Sequence, residues 1–296
     1  MNKRHLLSTI ALGAVAAVAL AGCSGSAGGG KADAKHITIG VFNGWPEGEA
    51  ASYVWKEALE AKGYSVDLEY ADAGPVFAGL AKGDYDVALD GWLPVTHKSY
   101  FDKYGSKITD LGAWNKDAKL TVAVNKDAKI DSLDQLAAAS DDFGGKLIGI
   151  EPGAGLTEIT QKKVIPEYGL DKMDFVTSST PAMLAELKKA IDAKKDIAVT
   201  LWRPHWAYDA FPIKDLKDPK GALGAAESIH TVTRKGFDAD HAEVNAWLKK
   251  FTMKSDLLFS LENKMYNNGG KKVTDYGPVV KDWMKDNKEF ADSLTS

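Results

Sequence analysis

Cysteine is almost absent from these 296 residues. Only Cys23 occurs, ahead of any pattern that builds a core, so no disulfide can close within one chain. Catalytic signatures are missing as well. There is no Gly-x-Ser-x-Gly elbow, no cysteine nucleophile in the folded part and no His-Glu-x-x-His, and the six histidines are scattered. That leaves neither an activated nucleophile nor a tight set of metal ligands. No pair of carboxylates stands out at a spacing for acid and base work, so the reading is of a binding protein, not an enzyme, with no cofactor and no metal. A surplus of cations is lacking too: the formal charge is −4, which argues against a nucleic-acid partner.

What is present begins with an address. Lys3 and Arg4 precede an apolar stretch from Leu6 to Leu20 that closes on Leu20-Ala21-Gly22-Cys23. A basic start, a short apolar run and small residues before a cysteine make a secretory signal over residues 1–22, too short to span a bilayer comfortably. Its similarity to bacterial lipoboxes implies cleavage before Cys23 and acylation of that thiol. Loss of Lys3 and Arg4 with the leader lowers the formal charge to −6. Residues 23–35, with Gly28-Gly29-Gly30 at the centre, hold too little apolar surface to fold and read as a flexible tether. No later segment is apolar enough to cross a membrane. The expected product is a soluble body on a lipid anchor at the outer face of the cytoplasmic membrane.

From His36 onward, β-rich runs at 36–41, 64–68, 87–89, 120–124, 147–150 and 197–201 alternate with helical spacing at 49–62, 76–82, 133–138, 157–168 and 180–192. Alternation of this kind predicts α/β architecture with parallel strands and helical crossovers. The helix from Thr157 meets Pro166 and then Tyr168-Gly169, where it is expected to bend or stop. Beyond residue 239 amphipathic helical stretches carry Trp247, Leu248, Phe251, Val279, Val280 and Trp283, read as core. A folded part of this size exceeds the usual single core, so two lobes are expected. Residues 36–119 plus 230–296 form the first and 120–229 the second, with crossings at 118–124 and 228–234.

Three tryptophans stand beside Gly or Pro where predicted strands end, which is where an open α/β sheet presents side chains to a ligand. They are Trp45 in Asn43-Gly44-Trp45-Pro46-Glu47, Trp92 in Asp90-Gly91-Trp92-Leu93-Pro94, and Trp202 in Leu201-Trp202-Arg203-Pro204-His205-Trp206. An indole face attracts a quaternary ammonium, which has no N–H to hydrogen-bond, so three indoles drawn from two lobes suit such a cation. The turn Glu151-Pro152-Gly153-Ala154-Gly155-Leu156-Thr157 leaves a strand and opens a helix, a candidate seat for an anion on backbone amides. His97, close after Trp92, is a candidate donor to the same anionic end. Asp90 is expected on the same side of its strand as Trp92, capping the turn or adding negative potential near the cation. His205 and His230 have weaker claims, as loop packing and as part of a crossing strand.

Taken together, Gly74-Pro75-Val76-Phe77, Leu80-Ala81-Lys82-Gly83-Asp84-Tyr85-Asp86-Val87, Trp92-Leu93-Pro94-Val95-Thr96-His97, Glu151-Pro152-Gly153-Ala154-Gly155, Ser179-Thr180-Pro181-Ala182-Met183-Leu184, Trp202-Arg203-Pro204-His205-Trp206, Asp218-Pro219-Lys220 and Glu227-Ser228-Ile229-His230-Thr231-Val232 resemble the glycine betaine/proline betaine substrate-binding proteins of ABC importers. The resemblance implies a periplasmic-binding-protein fold, type II-like, whose two lobes close on ligand. It also implies that Trp45, Trp92 and Trp202 box a trimethylammonium, that the amides of Gly155 and Leu156 and the His97 side chain hold a carboxylate, and that the loaded protein docks on a membrane permease. Choline or carnitine is the alternative ligand class. One departure is Glu49, where family members tend to carry an apolar residue; its charge is expected to be solvated on the first helical turn. Cation–π contacts of up to ~2 kcal/mol each and charge-assisted hydrogen bonds of ~1.5–3, set against lobe ordering, lead to an expected dissociation constant of order micromolar.

Overall fold

The computed structural model describes residues 35–267 and 273–296. The predicted leader, Cys23 and the tether as far as residue 34 lie outside the described residues. Nine strands carry the fold: β1 (His36–Phe42), β2 (Ser65–Ala71), β3 (Val87–Leu93), β4 (Ile108–Asn125), β5 (Lys146–Ile148), β6 (Asp174–Val176), β7 (Ala198–Arg203), β8 (Ile213–Asp215) and β9 (Glu227–Arg234). They pair in the order β2-β1-β3-β9-β4-β7-β5-β6, with β8 also on β4.

The long strand β4 divides this path into two half-sheets. Its residues 108–118 run antiparallel to β9, and from Lys119 the same strand pairs with β7. In the first half-sheet β1 runs parallel to both β2 and β3, and in the second β5 runs parallel to β6 and β7. These parallel pairs follow from helical crossovers between consecutive strands, the only economical way to bring the chain back to the same end. Three stretches of strand carry little sequence signal and were not expected: the first half of β4, and the three-residue strands β6 and β8. The last two are too short for alternation to register.

Helix boundaries have local causes. The helix Pro46–Ala61 starts with proline at its first position and acidic residues in its first turn, both suited to a helix N-terminus. Thr180–Asp192 is capped by the Ser179 hydroxyl, which accepts from the Ala182 N–H at 3.3 Å. The helix expected to bend or stop at Pro166 and Tyr168-Gly169 passes the proline and stops at Gly169. Residues 155–159 are α-helical, 160–164 form a π turn, 165–168 resume the α form, and Gly169 ends the helix in the left-handed region at φ 64°. The wider turn sits just ahead of the proline, where a missing N–H would otherwise break the ladder.

The C-terminal helices Ala242–Lys250, Ser255–Tyr266, Tyr276–Asp286 and Lys288–Ser293 pack back on the first half-sheet region, with Leu248, Phe251, Val280 and Trp283 buried as expected and Trp247 and Val279 only half-buried. Among the described residues no helix is long and apolar enough to cross a membrane.

Candidate functional site

Trp45 is the residue that caps the helix Pro46–Ala61, directly after β1. Trp92 and Trp202 lie within β3 and β7 and not beyond their ends, because both strands run further than their apolar signal. Each stands one residue before a cis X–Pro bond, Leu93–Pro94 and Arg203–Pro204. All three side chains converge on one cavity, which Glu47, Thr96, Leu120, Ile150 and Leu156 also line. Its empty space, including space open to solvent, is about 250 Å³. The walls come from both half-sheets: the Trp45 and Trp202 rings face each other at 6.1 Å and 60°.

The structure brings Trp45, Trp92, Trp202 and Leu156 to this cavity but sets His97 and Gly155 behind its surface. His97 is fully buried, stacked on Trp45 at 5.5 Å with planes 2° apart, and packed edge-on against Phe42 and Phe77. Burial pushes its imidazole down to about 3, so it is neutral. The backbone N–H of Trp92 donates to Nδ1 at 2.9 Å, which places the remaining proton on Nε2, and Nε2 is buried without a hydrogen-bond partner. That leaves a single unspent N–H donor next to Trp45.

Gly155 lies where the helix after β5 begins, against the loop after β3. A Cβ there would stand 2.1 Å from the Thr96 carbonyl oxygen, so only glycine allows this approach. The loop it meets is itself held firmly. Glu227, at the start of β9, accepts from the backbone N–H groups of Val95 and Thr96, each at 2.8 Å, and from the Thr96 hydroxyl. Glu227→Ala would leave three donors without their acceptor, two of them on buried Thr96. Loss of about 2–4 kcal/mol of stability is the expected outcome, read as a lower midpoint in chemical denaturation; an unchanged midpoint would remove Glu227 from this role.

Glu151, in the same Gly-rich turn, reaches across to the other side of the cavity. One oxygen accepts from the Thr180 N–H at 2.6 Å, the other from the Thr180 hydroxyl at 2.9 Å and from Trp45 Nε1 at 3.3 Å. Tyr100 spans the same gap from the other side, donating its hydroxyl proton to the Gly153 carbonyl at 2.9 Å. Sequence reasoning missed Glu151, Glu227 and Tyr100. The first two stand in motifs that drew attention for their glycines and histidine, and nothing local marks either carboxylate as buried.

Three carboxyls surround the cage. Asp90 lies on the Trp92 side of β3, as alternation predicts, and its Oδ1 accepts from Trp92 Nε1 at 2.9 Å. Its other oxygen packs on Gly48, where a Cβ would approach to 2.5 Å. Glu47 is buried in the cavity wall with neither oxygen hydrogen-bonded, and burial pushes it up to about 7 while the Trp202 and Trp92 indoles, short of hydrogen-bond geometry, pull it back. Glu262, from Ser255–Tyr266, is wholly buried and held well above the carboxylate range by that burial and by Glu47.

Glu49 corrects the sequence reading. It is not solvated but buried, accepting from the Tyr70 hydroxyl at 2.7 Å and from the Tyr266 hydroxyl. Tyr266 in turn stacks on Trp206, 5.9 Å away. The two weaker histidines have structural places. His205 accepts the Ala207 N–H and meets Trp202 edge-on, and His230, in β9, pairs with Asp110 at 2.8 Å. Among the described residues no group of three or more His, Cys, Asp or Glu is placed to hold a metal ion.

Comparison with known proteins gives the family and the fold. Residues 35–286 match the family described as the substrate binding domain of ABC-type glycine betaine transport systems. The glycine betaine/carnitine transport binding protein GbuC of Listeria monocytogenes is 37% identical over 157 residues, 51% of this chain and 50% of that protein. The chain thus spans about half the length of that curated relative. Among solved structures, the glycine betaine/L-proline-binding protein ProX of Borrelia burgdorferi superposes with TM-score 0.81 at 31% identity, covering 88% of this chain and 97% of that one. Lactococcal OpuAC in its closed, glycine betaine-complexed form also gives 0.81, at 30% identity over 88% of this chain and all of its own. The fold is therefore the two-lobed α/β fold of these binding proteins, and the chain belongs to the family of substrate-binding domains of ABC-type glycine betaine transport systems.

Proposed function

We propose that this protein is an extracytoplasmic substrate-binding lipoprotein that captures glycine betaine, or a related quaternary-ammonium zwitterion, and delivers it to the permease of an ABC importer. The observation that carries the reading is the convergence of Trp45, Trp92 and Trp202 on one small cavity. Three π faces and an apolar lining suit a cation that cannot donate hydrogen bonds. For the ligand's carboxylate, the unspent Nε2–H of His97 and the first amides of the helix opened at Gly155 and Leu156 are the assigned donors, since a helix leaves its first N–H groups without partners. Residues 36–119 plus 230–296 would form one lobe and 120–229 the other, meeting at the cage. Cys23 would carry the lipid that keeps the protein near its permease, on the outer face of the cytoplasmic membrane. It is a carrier and not an enzyme, so ligand incubated with it should be recovered unchanged.

Titration of the purified protein with glycine betaine, followed by tryptophan fluorescence, should give saturable binding of order micromolar. No response to glycine betaine, proline betaine, carnitine or choline would overturn the reading. Choline is a second candidate on one specific ground: Glu47 places a carboxyl in the cage wall, which suits a ligand of net positive charge. His97→Ala separates the two. It is expected to weaken glycine betaine binding about ten- to hundredfold and choline binding far less, since only the betaine has a carboxylate to lose a charge-assisted bond. Equal losses for both ligands would take His97 out of the anion seat.

A further inference from the structure

The cage wall contains a titratable group that cation–π binding does not use. We infer that the cage is proton-linked: the Glu47 carboxyl is neutral before a quaternary ammonium enters and ionises as it does, so that cation and proton compete for one site. This rests on the betaine reading above and adds to it a residue that sets both pH response and selectivity for a charged headgroup.

The geometry is that of a carboxyl with no protein cation beside it among the described residues, approached by the Trp202 and Trp92 indoles short of hydrogen-bond geometry. Glu47 is 1% exposed, lines the cavity, and has no hydrogen-bond partner for either oxygen. Behind it stand Asp90 of β3, with one oxygen taken by Trp92 Nε1 and the other unpartnered, and Glu262 of Ser255–Tyr266, with neither oxygen partnered. Glu47 acts electrostatically on both, and neither Lys nor Arg is among the groups acting on any of the three. Three carboxyls sharing a dry space cannot all be charged.

The remaining titratable neighbours do not supply the missing cation. Glu49, on the same helix, is occupied by the Tyr70 and Tyr266 phenols, and His205 and His97, beside Trp202 and Trp45, are both held neutral by burial at about 3. Burial holds all three above the ordinary carboxylate range. Of the three, Glu47 is the one that lines the cavity, so it is the carboxyl that a bound ammonium can ionise.

The sign of the linkage follows. A bound ammonium stabilises the ionised carboxylate, so binding expels a proton wherever Glu47 starts out protonated, and affinity falls as pH falls below about 7. The ligand's own carboxylate, held below the ordinary carboxylate range by the adjacent ammonium, stays ionised throughout this window.

Calorimetry of the wild-type protein with glycine betaine, in two buffers of different ionisation enthalpy, counts the proton directly. The expected result is affinity about twenty- to thirtyfold weaker at about pH 5.5 than at about pH 8.5, with more than half a proton released per ligand at the lower pH and almost none at the higher. Glu47→Gln should abolish both the pH dependence and the proton release. 3,3-Dimethylbutanoate, which replaces the ammonium nitrogen by carbon, should show the opposite slope, binding wild type less well as pH rises. Betaine binding that is pH-independent, with no dependence of its enthalpy on buffer, would overturn the linkage and leave the betaine reading intact. Failure of betaine to bind at any pH would overturn both. The wild-type proton count stands even if the Gln variant does not fold.

Discussion

Trp202→Ala is expected to weaken glycine betaine binding by about a hundredfold. The indole is 3% exposed, faces Trp45 across the cavity and is braced edge-on by His205 at 4.8 Å. Truncation removes one π face, worth up to ~2 kcal/mol when desolvated, and opens the cage to water, which weakens the two contacts that remain. About 2.7 kcal/mol in all corresponds to a hundredfold. Trp202→Phe keeps a smaller face at the same place and should cost only about tenfold. The pair matters because Trp202 Nε1 forms no hydrogen bond, so replacing the indole breaks none and removes only its weaker pull on the Glu47 carboxyl. Trp92→Ala, in contrast, would also release Asp90, and Trp45→Ala would deprive Glu151 of a donor and His97 of its stacking partner. Those two variants should lose stability as well as affinity. Unchanged affinity in all three alanine variants, each shown folded by its thermal transition, would sink the cage.

Gly155→Val should be as severe for a different reason. The added Cβ would stand 2.1 Å from the carbonyl oxygen of Thr96 and 2.9 Å from its carbonyl carbon, both backbone atoms. Neither can step aside, because Glu227 anchors the Val95 and Thr96 amides and the Thr96 hydroxyl. The overlap is relieved only by parting the Gly-rich turn from the loop after β3, which also separates Leu156 from the tryptophans. Betaine affinity is expected to fall about a hundredfold or more, whereas the unliganded protein, free to open, loses little stability. Gly153→Ala is the control, since its Cβ would meet nothing nearer than the Tyr100 hydroxyl at 4.0 Å. Wild-type affinity in Gly155→Val would show that the two segments need not touch for binding.

Much of the frame was legible in the chain before folding was considered. The parallel strands β1, β2 and β3, the helix after β1 and the helix after the Gly-rich turn follow from apolar period, proline at a helix start and glycine at a helix end, all of them signals that act over a few residues. Strand ends were legible less well, so Trp92 and Trp202 were expected beyond β3 and β7 and lie inside them. The reason is that Gly91 and Arg203 carry little strand signal and are held in place by pairing partners, β9 for the first and β4 for the second, while Asp90 stands in the irregularity between Ala88 and Gly91. The π turn that carries a helix past Pro166 left no mark in the sequence, whereas its stop at Gly169 did.

The residue types the site needs were determined by the sequence alone: three indoles beside Gly or Pro, a glycine that admits close backbone approach, and a histidine close after the second indole. What those groups are in charge and exposure was decided only by tertiary structure. Glu49, expected to be solvated on the first helical turn, and Glu47, which nothing in the sequence singled out, are both buried. Glu49 meets phenols from β2 and from the C-terminal helix Ser255–Tyr266, and Glu47 meets Asp90 of β3 and Glu262 of that same helix. Backbone conformation is set by neighbours along the chain, but the cost of a charge is set by how much water and how many other charges the whole fold leaves around it. That sum exists only once remote segments have packed together.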